Sequence, residues 1–127
     1  MFGDDTLMRS WLTRVLELEG FVPGDISYVF CTDDYLHTLN RQFLSHDEYT
    51  DILTFPTAKN SKAISGEIYI SADRVHENAA TFKVKPNHEL LRVMVHGMLH
   101  LMGYNDATAA EKSVMRAKED YYINLHP

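Results

Sequence analysis

The fold is decided by the stretch PNHELLRVMVHGMLHLMG, residues 86–103. From about His88 to Met102 its residues are apolar almost all round, which predicts a central, buried helix. Pro86 and Asn87 are suited to the start of this helix, and Gly103 is suited to its end. We therefore expect the rest of the chain to pack around residues 88–102.

The segments on either side of this helix predict three strands and four further helices. The strands are expected over Ile26 to Cys31, Thr50 to Phe55 and Gly66 to Ser71. The helices are expected over Thr6 to Glu19, from a cap at Thr32 or Asp33, from Ala72 to Phe82, and after a capping box of Thr108 and Glu111. Because strands and helices mix without strict alternation, the predicted class is α+β.

Length and composition fit one domain spanning residues 1–127, with 45% hydrophobic residues to build a core. Cys31 is the single cysteine, so no internal disulfide is possible, and we expect a reducing, cytoplasmic location. No apolar stretch approaches the roughly 20 residues that span a bilayer, so no membrane partner is expected. The net charge of -6 argues against general coating of nucleic acid, but leaves room for local contact with RNA.

A candidate metal site is formed by His96, His100 and Asp106. Residues four apart on a helix share a face, and Gly103 lets the chain turn back so that Asp106 supplies a third ligand. Two histidines and one aspartate leave the fourth position of a catalytic zinc site for water. We expect one zinc ion, although other divalent transition metals accept these ligands. The alternative is that both histidines are buried core residues of an apolar helix, which is costly unless each imidazole has a partner.

The same spacing of two histidines occurs in one class of zinc peptidases. In those enzymes a glutamate follows the first histidine and serves as general base. Here Gly97 follows His96, and a glycine cannot accept a proton. The sequence therefore argues against a peptidase.

Three separated motifs, in the same order, resemble those of the YbeY family of metal-dependent endoribonucleases. They are HGMLHLMGY at residues 96–104, TDILTFP at residues 50–56 and GEIYI at residues 66–70. The resemblance implies a mixed sheet of about four strands with flanking helices and one zinc ion on a central helix. It also implies single-strand-specific RNA cleavage, 3′-end processing of 16S ribosomal RNA, ribosome quality control, and ribosomal RNA and ribosome components as partners.

The chain departs from the family pattern at two positions. The family's usual third ligand is histidine, whereas this chain has Asp106. The family also has an arginine associated with activity in the loop before the strand at Thr50. Leu44 aligns with that arginine, and the nearest arginine, Arg41, lies three residues earlier.

Two further residues are candidates for catalysis. Arg92 precedes His96 by one helical turn and is able to hold a phosphate bidentately, or instead to pair with Glu89 or another carboxylate. Asp51 is able to orient a ligand histidine or to act as a base, or is a satisfied polar group at a strand end. For Arg92 and for Asp51, the sequence does not decide between the catalytic and the structural role.

Other polar residues are weaker candidates for RNA contact. Four lysines form either a basic rim for RNA or a solvated face: Lys59, Lys62, Lys83 and Lys85. His46 is expected in a loop, from which it is able to approach RNA, whereas His76 and His88 are expected at the surface. Two rival functions are a metal-dependent hydrolase of another substrate and a non-catalytic, ribosome-associated metal-binding module.

Overall fold

The computed structural model describes residues 5–45, 49–57 and 62–126. Within these residues it contains five helices: α1 (Asp5–Leu18), α2 (Asp33–Leu44), α3 (Ala72–Phe82), α4 (Pro86–Leu101) and α5 (Ala109–Asn124). Its strands are β1 (Val22–Cys31), β2 (Ile52–Pro56) and β3 (Ala63–Ser71). The predicted α+β class is confirmed.

The strand count expected from the resemblance was wrong, because the described residues form a sheet of three strands rather than about four. The segment before β1 is helix α1, and its buried residues recur at helical spacing: Trp11, Leu12, Val15 and Leu16. A period near 3.6 keeps these side chains on one face of a helix, whereas a strand would split them between two faces. The described chain therefore adds no strand on this side of the sheet.

Strand β3 lies in the middle of the sheet, with β1 parallel to it and β2 antiparallel to it. Strand β1 begins at Val22, four residues before the predicted start at Ile26. Pro23 and Gly24 obscured this start in the sequence, since both are uncommon inside strands. The pairing shifts register between Pro23 and Ile26, and this irregularity at the sheet edge accommodates both residues.

Helix α4 is the centre of the fold, as predicted. It contacts β2, β3 and the helices α1, α3 and α5. Pro86 lies in its first turn, and Gly103, just beyond its end, has a φ of +107°. That backbone conformation is open to glycine at little cost and reverses the chain after the helix. Its buried residues include Leu90, Val93, Met94, Val95, Gly97, Met98 and Leu99.

Gly97 marks the place where α4 approaches the sheet most tightly. A Cβ atom at this position would lie 2.7 Å from Cδ1 of Ile52 and 3.1 Å from Cγ2 of Ile68. Both distances are shorter than ordinary van der Waals contact between carbon atoms, about 3.5–4.0 Å. Position 97 therefore faces the sheet, and glycine is needed there for packing.

A hydrogen-bonded cluster around Glu19 ties three parts of the chain together. Its carboxylate accepts hydrogen bonds from the Tyr104 hydroxyl at 2.6 Å and from Lys118 Nζ at 2.9 Å, and a further one from the Tyr122 hydroxyl. Glu19 directly follows α1, Tyr104 lies in the loop after α4, and Lys118 and Tyr122 belong to α5. The cluster therefore anchors the loop at Tyr104 to the body of the fold.

Among the described residues, no helix has the length and apolar character needed to cross a membrane.

Candidate metal centre

The structure brings together the three residues that the sequence predicts as ligands. The Nε2 atoms of His96 and His100 lie 3.1 Å apart. Oδ2 of Asp106 lies 3.2 Å from Nε2 of His96 and 3.4 Å from Nε2 of His100. All three side chains are half-buried, so one side of the cluster faces the protein and the other faces solvent.

These distances fit a tetrahedral metal ion. Ligand atoms about 2.0–2.1 Å from zinc in tetrahedral geometry lie about 3.3–3.4 Å from one another. The three measured separations, 3.1, 3.2 and 3.4 Å, fall close to this value. Two imidazoles and one carboxylate are also an accepted donor set for zinc. The residues present therefore fit one such ion, with a fourth position on the open side.

The loop that carries Asp106 is held on both sides. On one side Tyr104 donates its hydroxyl hydrogen to Glu19. On the other side the backbone amides of Ala107 and Thr108 donate to Oε1 of Glu111, at 3.2 and 2.9 Å. The latter bonds include the predicted capping box of α5, which is confirmed. These anchors fix the path of the chain past the two histidines.

Glu119 is a site residue that sequence reasoning missed. Its Oε2 lies 2.6 Å from Nδ1 of His96, and its side chain is only 5% exposed. An Nδ1–H that donates to this carboxylate leaves the Nε2 lone pair of His96 directed at the cluster. A signal was present, because Met115, Glu119 and Tyr122 recur at helical spacing as the buried stripe of α5. A glutamate on such a stripe indicates a buried partner.

The same contact raises the pKa of His96. Burial acts to lower this pKa, but the hydrogen bond and charge of Glu119, followed by the charges of Asp106 and Asp51, outweigh it. In the metal-free protein the imidazole therefore holds a proton more strongly than an ordinary histidine. A metal ion competes with that proton for Nε2.

Arg92 pairs with carboxylates rather than standing free. Its Nη1 lies 2.8 Å from Oε1 of Glu119, and its Nη2 lies 2.7 Å from Oδ1 of Asp120. The pairing alternative therefore describes its contacts, although the partners are Glu119 and Asp120 and not Glu89. The guanidinium contacts the carboxylate that holds His96, so Arg92 is placed to support the site indirectly.

Asp51 lies in the same cleft as the cluster, near the start of β2. Its backbone carbonyl accepts a hydrogen bond from the Ser71 amide at 3.0 Å, which continues the sheet pairing. Burial raises the pKa of its carboxyl group, partly offset by the charge of His96. Glu119, rather than Asp51, makes the close contact with the histidine. A catalytic role for Asp51 stays a prediction.

The cleft that contains the cluster has a volume of about 550 Å³. Its lining includes four acidic residues: Asp51, Glu89, Asp106 and Glu119. Two basic residues of α5, Lys112 and Arg116, also line it. Leu44 lines it as well, so the position that we expect to correspond to the family's arginine belongs to this cleft. Phe82, at the end of α3, completes an apolar part of the wall.

The remaining candidates lie elsewhere. His46 and Lys59 fall outside the described residues. Three lysines of the proposed basic rim are exposed but are not part of the cleft wall: Lys62, Lys83 and Lys85. His76 is exposed as expected. His88 is half-buried, with its Nδ1 buried, so the surface expectation was wrong for this residue.

Comparison with known proteins assigns the family. The family described as Endoribonuclease YbeY matches residues 4–126. Endoribonuclease YbeY of Christiangramia forsetii is 44% identical, over 92% of this chain and 81% of the relative. The protein of the same name from Cytophaga hutchinsonii is 46% identical, over 93% and 82%. The solution structure of TM1509 from Thermotoga maritima superposes with a TM-score of 0.67 at 30% identity, covering 96% of this chain and 83% of that one. The chain belongs to the YbeY endoribonuclease family.

Proposed function

We propose that this chain, as one domain over residues 1–127, is a metal-dependent endoribonuclease that cuts single-stranded RNA in the cytoplasm. His96, His100 and Asp106 hold one divalent transition-metal ion, which we take to be zinc. The proposed substrate is ribosomal RNA on or near the ribosome, in 3′-end processing of 16S RNA and in ribosome quality control. The observation that carries this proposal is the convergence of three metal-binding donors on an open cleft in a member of this family.

An ion held there would supply a Lewis acid for a phosphoryl oxygen and a source of hydroxide near neutral pH. The surrounding residues supply orientation and proton transfer. Glu119 fixes the His96 tautomer, and Arg92 in turn fixes Glu119. Asp51 is our candidate for accepting or donating a proton in the cleft, because its raised pKa lies closer to neutral pH than that of an ordinary aspartate.

The two rival functions are less well supported. A peptidase of the related class needs a glutamate after the first histidine, and position 97 faces Ile52 and Ile68 with no room for a side chain. A purely structural zinc site is closed by four protein ligands. In the described part of the chain, three donors converge beside an open cleft, which favours a reactive centre.

The proposal is tested by RNA cleavage. Protein stripped with a chelator and reloaded with one equivalent of zinc, manganese or nickel is incubated with a single-stranded RNA oligonucleotide, and fragments are resolved on a gel. We expect cleavage by the wild type and none by His96→Ala. His76→Ala, a matched histidine substitution at an exposed position outside the cleft, is the control. Cleavage by metal-free His96→Ala at the wild-type rate would contradict the proposal, and turnover of casein would favour the peptidase.

A further inference from the structure

The wall of the cleft combines side chains of different chemistry. Lys112 and Arg116 lie four residues apart on α5, so both reach the cleft from one helix face. Phe82 contributes an aromatic ring from the end of α3 and is 59% exposed. The His96 and His100 imidazoles line the same cleft. A ligand of the cleft therefore meets cations, an aromatic face and the metal-binding cluster together.

Lys112 and Arg116 supply positive charge to a cleft that is otherwise acidic. The chain has a net charge of -6, and four carboxylates line the cleft. The charge of Arg92 is neutralised by Glu119 and Asp120. Lys112 and Arg116 are exposed. Burial raises the pKa of Glu89, and the charge of Arg116 is close enough to offset part of this rise. Of the described residues that line the cleft, Lys112 and Arg116 are the cations best placed to meet a phosphate.

The exposed ring of Phe82 favours a ligand that has an unpaired base. Proteins bind single strands by stacking bases on aromatic side chains beside a basic groove. A base inside a duplex has its faces covered by its neighbours and cannot stack on a protein ring without being displaced. Phe82 is largely exposed to water, and its side chain is apolar, so stacking against a base would remove apolar surface from water.

We propose that this cleft binds single-stranded RNA with backbone phosphates on Lys112 and Arg116 and one base stacked on Phe82. This inference rests on the proposed function, since it names the contacts that the substrate makes beside the metal centre. It assigns two separable contributions to binding. The phosphate contacts depend on salt, because binding releases counterions, whereas the stacking contact does not.

The test measures binding apart from cleavage. Metal-free protein in chelator is titrated with a fluorescent, fully 2′-O-methylated single-stranded RNA, which offers no 2′-hydroxyl nucleophile, and anisotropy is recorded over a range of salt concentrations. For Lys112→Gln/Arg116→Gln we expect the slope of log affinity against log salt to fall by about 1.4, or about 0.7 per lost phosphate contact. For Phe82→Ala we expect an affinity loss of about fivefold to a hundredfold at every salt concentration, with the slope unchanged.

Matched controls separate these effects from general changes in charge or surface. Arg9→Gln/Arg14→Gln removes the same charge from exposed positions of α1. Tyr121→Ala removes an aromatic ring of similar exposure, 56%, that does not line the cleft. Both controls should bind with wild-type affinity and slope. Phe82→Trp should retain binding, and thermal melting of every variant checks that it is folded.

The inference is overturned if the double α5 variant keeps the wild-type slope, if Phe82→Ala binds as tightly as the wild type, or if the controls lose as much as the cleft variants. Its failure is distinct from failure of the proposed function. If zinc-loaded wild type cleaves RNA but no variant changes RNA affinity or salt dependence, only the inference about the binding contacts is rejected. If the variants show the predicted binding changes but zinc-loaded protein cleaves no RNA, the proposed binding site is retained and the proposed nuclease activity is rejected.

Discussion

Nδ1 of His96 lies 2.6 Å from Oε2 of Glu119, a carboxylate that comes from a different helix and is almost fully buried. The bond crosses from α4 to α5, and Arg92 holds the other carboxylate oxygen. Metal-binding histidines commonly donate their second ring N–H to such a partner, which fixes the tautomer and increases the basicity of the ligand nitrogen. Glu119 is therefore a positioning residue for the candidate metal centre.

Removing this partner should weaken metal binding. We expect Glu119→Ala to lower zinc affinity about 10- to 100-fold, because His96 is then free to rotate and to change tautomer. Glu119→Gln keeps an oxygen acceptor and should lose less. Affinity is measured by competition with a chromogenic chelator. The control is Asp120→Asn, which alters the other partner of Arg92 without touching His96; a loss as large in this variant would contradict the assignment.

The close approach of α4 to the sheet predicts a specific coupling between two residues. Gly97→Ala places a Cβ against Cδ1 of Ile52. Overpacking of this kind lowers the free energy of unfolding by about 1–3 kcal/mol. The higher helix propensity of alanine, worth roughly 1 kcal/mol over glycine, offsets part of that loss. Ile52→Val removes that Cδ1 atom. The double variant should therefore be less destabilised than the sum of the single variants. Urea denaturation measures the three free energies of unfolding, and simple additivity would show that the contact is unimportant.

The Glu19 cluster predicts a dependence of stability on pH. Burial acts to raise the pKa of Glu19, but hydrogen bonds from Lys118, Tyr104 and Tyr122 together lower it below its ordinary value of 4.5. A lowered folded-state pKa stabilises the protein fully above the unfolded-state pKa, and this stabilisation is lost as pH falls through the folded-state pKa. Glu19→Gln should therefore cost about 1–3 kcal/mol near neutral pH and much less in acid.

Chemical denaturation of the wild type and Glu19→Gln near neutral pH and at about pH 3 measures this difference. Glu17→Gln, at an exposed glutamate in the last turn of α1, two residues before Glu19, is the control and should change stability little at either pH. An equal cost of Glu19→Gln at both pH values would mean that the charge of Glu19 contributes nothing.

Much of the architecture follows from local patterns in the sequence. The apolar run on α4 predicted a central helix, and Pro86, Gly103 and the capping box at Thr108 marked its start, its end and the start of α5 within a few residues. These signals depend on backbone chemistry within one or two turns, so they are readable without knowledge of the tertiary fold. The start of β1 was misplaced because Pro23 normally interrupts a strand.

The site was predictable only where its residues are close in sequence. His96, His100 and Asp106 fall within eleven consecutive residues, and helical geometry with one turn brings them together. Glu119 approaches His96 from another helix, and this contact depends on how α5 packs against α4. The pairing of Arg92 with Glu119 and Asp120 depends on the same packing. Such contacts are tertiary, and helical spacing alone does not specify them.

The most direct test is a titration of RNA cleavage against bound metal. Stripped wild-type protein receives increasing amounts of zinc, bound metal is measured by elemental mass spectrometry, and the initial rate of cleavage of a single-stranded RNA is recorded at each step, with Asp106→Ala in parallel. The rate should rise in proportion to bound zinc and reach a plateau at one ion per chain, while Asp106→Ala binds far less metal and stays inactive. Cleavage that is independent of bound metal, or protein that takes up one ion per chain and still leaves RNA intact, would contradict a metal-dependent nuclease.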